Sequence, residues 1–169
     1  MDIRQTIAHL AQDKDEQMLL IRAAERLTAA QQRNIPTATA FLGAREQALL
    51  AQLFPHDPPV FFGGCDGAER RVAVFLPDYL DEDWLLSDDS PVAAVRATFF
   101  EEDTLTHRDF LGALMGAGIK RETVGDIYVA PGRCDFVVLR ELRDFFLQNL
   151  PSAGRTKLTL VPLDLAELS

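Results

Sequence analysis

The chain has 169 residues, 47% hydrophobic and 25% charged, the mixture of an ordinary globular protein, which excludes wholesale disorder and collagen-like or coiled-coil fibres. Its 17 Lys and Arg against 26 Asp and Glu give a formal net charge of −9, which excludes coating nucleic acid by bulk electrostatics but leaves room for a local basic face. No stretch reaches the roughly 18 uninterrupted apolar residues of a membrane helix, and the N-terminus lacks the basic-then-apolar layout of a signal peptide, so the expected location is cytoplasmic with no membrane partner.

In chain order, the first third reads as helices. Ile3, Ile7 and Leu10 share a face, and Asp13 and Glu16 have capping-box spacing before a run that aligns Leu20, Ala24 and Leu27. Ile35-Pro36 stops that run. A third periodic stretch with Leu42, Leu49 and Leu53 ends at Phe54-Pro55, and the stiff His56-Asp57-Pro58-Pro59 connection places a domain boundary there. The expected division is a helical region over 1–55 and an α/β domain over 56–169. Strands follow at 60–62 and 71–76, joined as a hairpin by Gly63-Gly64-Cys65-Asp66-Gly67, and then an acidic loop from Pro77 to Ser90 that Trp84-Leu85-Leu86 would anchor. From Val92 the order is strand (92–100), helix (106 to about 116), strands (126–130 and 134–138) turned at Pro131-Gly132, helix (139–150) and strand (156–161). This βαββαβ order predicts an α+β fold with a ferredoxin-like unit over 92–163 and the hairpin 60–77 added to its sheet.

The chemistry-bearing motifs are sparse. His107-Arg108-Asp109 lacks the Asn of a kinase catalytic loop, since Leu114 stands five residues after the Asp. It reads as a helix N-terminus. The glycine-rich run at 63–67 fits neither a phosphate loop nor a dinucleotide fingerprint and reads as a tight turn. His9, His56 and His107 fall on three separate elements, and Cys65 and Cys134 stand apart as buried free thiols. No metal, no cofactor and no catalytic residue is expected, so the chain reads as no enzyme. Positive charge collects over residues 104–157, which carry a local balance of +2. Arg70, Arg71, His107, Arg108, Lys120, Arg121 and Arg133 are the candidates for phosphate contact, with ordinary surface arginines as the plainer alternative.

Two stretches carry a resemblance. Phe61-Phe62-Gly63-Gly64, Gly67-Ala68-Glu69-Arg70-Arg71 and Val74 to Tyr79, followed by Leu105 to Gly116, Gly118 to Glu122 and Gly125-Asp126-Ile127, resemble the bacterial YlmH family of RNA-binding proteins. The resemblance implies a helical N-terminal region, a central RNA-binding-like α/β domain and a third domain, of the kind first seen in ribosomal small-subunit protein S-four, which these 169 residues do not include. It further implies a non-catalytic role in ribosome-associated quality control, through RNA on the large ribosomal subunit together with tRNA. Gene neighbours in cell division go with the same resemblance. The expected partners are ribosomal RNA and tRNA, with ribosomal proteins as additional contacts. An alternative is a protein-docking module for a ribosomal or cell-division partner, with RNA held by the third domain. Base stacking as in sequence-specific readers is not expected, because Arg133 to Leu139 departs from their third-strand pattern at Cys134, Asp135 and Leu139.

Overall fold

The computed structural model describes residues 2–168, so the outer ends of the two expected regions, Met1 and Ser169, lie outside the described residues. Helix α1 (Ile3–Leu10) is capped by Asp2, and α2 (Lys14–Arg33) by Asp13, whose carboxylate accepts the Glu16 N–H at 2.8 Å. Each cap pairs a donor that the first helical turn leaves open. Asn34 closes α2 in the left-handed conformation, just before Pro36.

The next element corrects the expectation of an all-helical first third. Residues Thr37–Leu42 form strand β1, and only then does helix α3 (Ala44–Leu53) begin, so Leu42 belongs to a strand and not to the third helix. The hairpin of β2 (Val60–Phe62) and β3 (Arg71–Phe75) forms as expected. Its sheet partner differs, because β3 pairs antiparallel with β1 in a three-stranded sheet of order β1-β3-β2. The hairpin is therefore not added to the later sheet. Leu42 faces Arg71 and Thr37 faces Phe75, so the bonds of one sheet cross the boundary expected at 55. The acidic segment beyond β3 is largely exposed and makes one short 3-10 turn (Glu82–Leu86) that drives Leu85 into the core.

The second sheet follows the expected order. It contains β4 (Val92–Thr98), β5 (Val124–Ala130), β6 (Arg133–Leu139) and, after the minimal hairpin of β7 (Ser152–Ala153) and β8 (Thr156–Lys157), strand β9 (Thr159–Leu163). The strand order is β5-β6-β4-β9 with antiparallel neighbours, the ferredoxin-like arrangement. Helix α4 (His107–Gly116) opens with a complete capping box between Thr106 and Asp109. Helix α5 (Arg143–Asn149) starts later than the periodicity predicts, because Leu139 still pairs with Val92 in the sheet. The last strand is displaced to 159–163 in place of 156–161.

Side-chain alternation stacks these pieces into four layers. In β3, Ala73 and Phe75 face α1, α2 and α3, whereas Val72 and Val74 face the second sheet. In the second sheet, Val92, Ala94, Val137 and Leu139 meet them, while Ala93, Val95, Phe136 and Val138 pack under α4 and α5. The order is helices, three-stranded sheet, four-stranded sheet, helices. One consequence bears on function. Much of the sheet face on which ferredoxin-like RNA readers stack bases is covered by the first sheet, and Phe136, the aromatic kept from their pattern, is turned inward with its ring 5.6 Å from that of Phe146.

Candidate nucleic-acid interface

Of the stretches that carry the family resemblance, the hairpin turn with Glu69-Arg70 and the segment from Arg121 to Asp126 meet at the seam between the two sheets, while the α4 stretch packs on the outer face of the second sheet. A register shift in β5 between Val124 and Ile127 turns Asp126 toward the hairpin, where one carboxylate oxygen accepts the N–H groups of Glu69 (2.7 Å) and Arg70 (3.2 Å). Arg70 Nη2 donates to the Phe41 carbonyl of β1 at 2.8 Å. Arg121 Nη1 donates to the carbonyls of Val124 (2.6 Å) and Gly125 (2.8 Å). The glycines make room for this closure. Gly63 and Gly125 lie against the buried Phe41 ring, and Gly64 adopts φ +107° with Tyr128 Oη beside it, where that hydroxyl accepts the Cys65 N–H at 2.9 Å. The glycine-rich run is thus a turn, as the sequence predicts, and the structure adds that the turn is docked on β5. Cys65 on it is half-buried, not buried as expected, while Cys134 is fully buried.

The electrostatics follow from that burial. Desolvation, then the neighbouring charge of Arg70, lowers the Arg121 guanidinium to about 10, and burial also lowers Arg70. Both cations are drawn away from bulk water, with Asp126 as a shared counter-charge. Two ion pairs extend the seam, Arg22 to Glu122 at 3.0 Å and Arg26 to Glu141 at 3.6 Å, tying α2 to the second half of the chain. Arg140 works in the same sense, donating to the carbonyls of Ser90 and Val92.

The seven candidates therefore separate into groups. Arg70 and Arg121 have their guanidiniums engaged by backbone carbonyls. Arg71 sits within β3, half-buried, and Lys120 is exposed beside Arg121 at the mouth of a cavity of about 250 Å³ that Arg22 and Glu122 also line. His107 and Arg108 are exposed on the first turn of α4. Arg133 leaves the Pro131-Gly132 turn opposite Thr98 and Ala130, at the far end of the sheet from Val124. Six residues of strand separate those ends, about 20 Å at ~3.3 Å per residue. The seven do not make one continuous face. Sequence reasoning gave no role to Phe41, Asp126 or Tyr128, although Asp126 lies inside a quoted motif.

Tyr128 offers a direct readout of the docked turn. Burial pushes its phenol up from 10.0 to about 12. Below pH 10 the proton is held in both folded and unfolded chains. Between pH 10 and 12 the unfolded chain releases it while the folded one retains it, so stability is lost across that window. Denaturant midpoints measured from pH 8 to 11 should fall more steeply for the wild type than for Tyr128→Phe. Parallel curves would show that the phenol is not docked.

Comparison with known proteins adds three findings. Residues 98–167 match a family model described as "Putative RNA-binding domain in YlmH". Over 159 residues the chain is 31% identical to "Ribosome-associated protein quality control protein P2" of Bacillus subtilis (strain 168), covering 92% of this chain and 61% of that protein. The chain thus spans about three-fifths of the curated relative it matches. The solved structure of "Cell division protein ylmH from Streptococcus pneumoniae" superposes with a TM-score of 0.67 at 19% identity, over 94% of this chain and 98% of that one. At that identity the likeness shows the fold.

Proposed function

The chain belongs to the YlmH family, and from that premise we propose that it is a non-catalytic, cytoplasmic RNA-binding accessory factor of the ribosome. Its place in this reading is the large ribosomal subunit with its tRNA, in ribosome-associated quality control. The observation that carries the reading is the match of residues 98–167 to the YlmH RNA-binding domain model. The relative whose name places it in ribosome-associated quality control supports the cellular context. Phosphate contact falls to the candidates whose side chains face solvent, Arg108, His107 and Lys120, and not to Arg70 and Arg121.

Co-sedimentation with ribosomes over a salt series tests this. For the 169-residue chain with its charge of −9, association in the range of non-specific binding is expected, a Kd on the order of 10⁻⁴ to 10⁻⁶ M at physiological salt. Arg108→Gln and Lys120→Gln should each lower the salt slope by about 0.7 to 0.9. A double variant with wild-type affinity and slope would remove these two residues from the interface, and a wild-type chain that never pellets with ribosomes would remove the reading. A second reading, docking to a basic protein partner, has one observation in its favour. Tyr79 and Leu86 stand exposed among Asp78, Asp81, Glu82, Asp83, Asp88 and Asp89, an acidic surface with apolar anchors. Salt-resistant association lost on Tyr79→Ala and Leu86→Ala would favour it.

A further inference from the structure

The uncovered end of the second sheet carries a feature that charge analysis does not reveal. Beyond the rows buried by the first sheet, Thr98 of β4 pairs with Thr159 of β9 and with Arg133 of β6, and both threonines are exposed. The chain then places two consecutive phenylalanines in opposite environments. Phe99 turns in, its N–H donating to the Gly132 carbonyl at 3.1 Å and its ring 5.9 Å from Phe110. Phe100 turns out and is 79% exposed, more than any other large apolar side chain described. Its backbone is fixed on the other side too, because the Phe100 carbonyl accepts the Asp103 N–H at 2.9 Å. A cavity of about 280 Å³ opens here, lined by Thr98, Phe99, Phe100, Lys157 and Thr159.

We propose that Phe100 and Lys157 form a one-nucleotide site for single-stranded RNA, with the base stacked on the Phe100 ring and its phosphate met by the Lys157 ammonium. The inference rests on the RNA-binding reading above and adds to it which form of RNA is held and where. An exposed ring on a fixed backbone loses little conformational freedom when a flat partner covers it, and every base has a face to offer. The Thr98 hydroxyl already donates to the Thr159 carbonyl at 3.3 Å, whereas the Lys157 cation and the Thr159 hydroxyl suit a nucleotide's phosphate and sugar hydroxyls. An apolar peptide side chain would leave them unmatched. Of the three acidic residues of the adjoining turn, Glu101 and Asp103 line a separate cavity with Ala130 and Pro131, and Glu102 is exposed and is not among the residues lining the Phe100 cavity. The position also fits the fold, because the inward turn of Phe136 and the cover of the first sheet leave this end as the open stacking platform.

The test uses the whole 169-residue chain with fluorescently labelled unstructured 12-nucleotide RNA and a duplex of the same length. Phe100→Ala should weaken single-strand binding by about 5- to 150-fold, the range of one lost base stack, and leave duplex binding unchanged. Phe100→Trp should bind at least as well as wild type, and Lys157→Gln should lower the single-strand salt slope by about 0.7. Equal single-strand affinity of wild type and Phe100→Ala, equal losses on single strand and duplex, or no single-strand binding by the wild type would each overturn the site. Wild-type ribosome association measured in parallel separates this failure from failure of the broader reading, which persists if the chain pellets with ribosomes.

Discussion

Replacing Gly64 with alanine is expected to lower stability by about 2 to 6 kcal/mol, the sum of a strained backbone at roughly 1–3 and an overpacked contact at roughly 1–3. The backbone at Gly64 has φ +107°, which L side chains rarely adopt, and an added Cβ would lie 2.6 Å from both Tyr128 Oη and Ala68 Cβ. Gly67, in the same turn at φ +80°, has nothing within 4 Å of an added Cβ. Gly67→Ala should therefore incur the backbone cost alone, about 1–2 kcal/mol. Chemical denaturation of the two variants separates conformational freedom from close approach. Tyr128→Phe removes one of the two colliding atoms, so the Gly64→Ala, Tyr128→Phe double variant should lose less than the sum of the singles. Equal costs at Gly64 and Gly67, with strict additivity to Tyr128→Phe, would mean that the turn is not docked on β5.

That docking explains which parts of the molecule were legible in the sequence. The βαββαβ unit was readable because its signals are local: alternation in the strands, the capping box at Thr106 and Asp109, and the turn at Pro131-Gly132. Strand β1 was not, because it is buried on both faces. Ala40 and Leu42 face the helices and Ala38 and Phe41 face the second sheet, with a register shift between Ala38 and Phe41 that breaks strict alternation. The strand's alternation of Thr37 and Thr39 with alanines is too short to mark a period, since Thr39 is itself buried and Ala40-Phe41-Leu42 breaks the pattern. The hairpin's partner was illegible for a related reason, since its pairing spans 29 positions of chain between Leu42 and Arg71 and 38 between Thr37 and Phe75.

The candidate site shows a different limit. Arg70 and Arg121 stood out as basic residues of the stretches that carry the resemblance, but residue type does not tell whether a guanidinium faces water or a backbone carbonyl. Five donors in a planar fork serve a phosphate and a pair of carbonyls equally well. Only the fold decides, by bringing the Phe41, Val124 and Gly125 carbonyls to them. Phe100, by contrast, lies at the strand end, where the period-2 pattern stops carrying information about which of two adjacent rings turns outward.

The second large effect expected is at Asp126. Asp126→Ala should cost about 2–4 kcal/mol, because it strands the Glu69 and Arg70 N–H donors, and hydrogen bonds to a charged group are worth roughly 1.5–3 kcal/mol each without adding fully. It also removes the counter-charge from Arg70 and Arg121, whose mutual repulsion already helps to lower the Arg121 pKa. Arg121→Gln alone should cost less, about 1–3 kcal/mol, since losing two bonds to carbonyls is partly offset by relief of desolvation and repulsion. In the Asp126→Ala background the same change should cost less still, because more repulsion is then relieved. Arg108→Gln, on an exposed helical turn, should stay within about 0.5 kcal/mol of wild type while reducing the salt slope of ribosome association. If Asp126→Ala and Arg121→Gln melt like wild type but bind ribosomes less well at temperatures where all variants are folded, the seam arginines contact phosphate after all. If they lose stability and the folded variants bind as wild type does, the motif that marks the family holds two sheets together, and the contacts to RNA are made elsewhere on the surface.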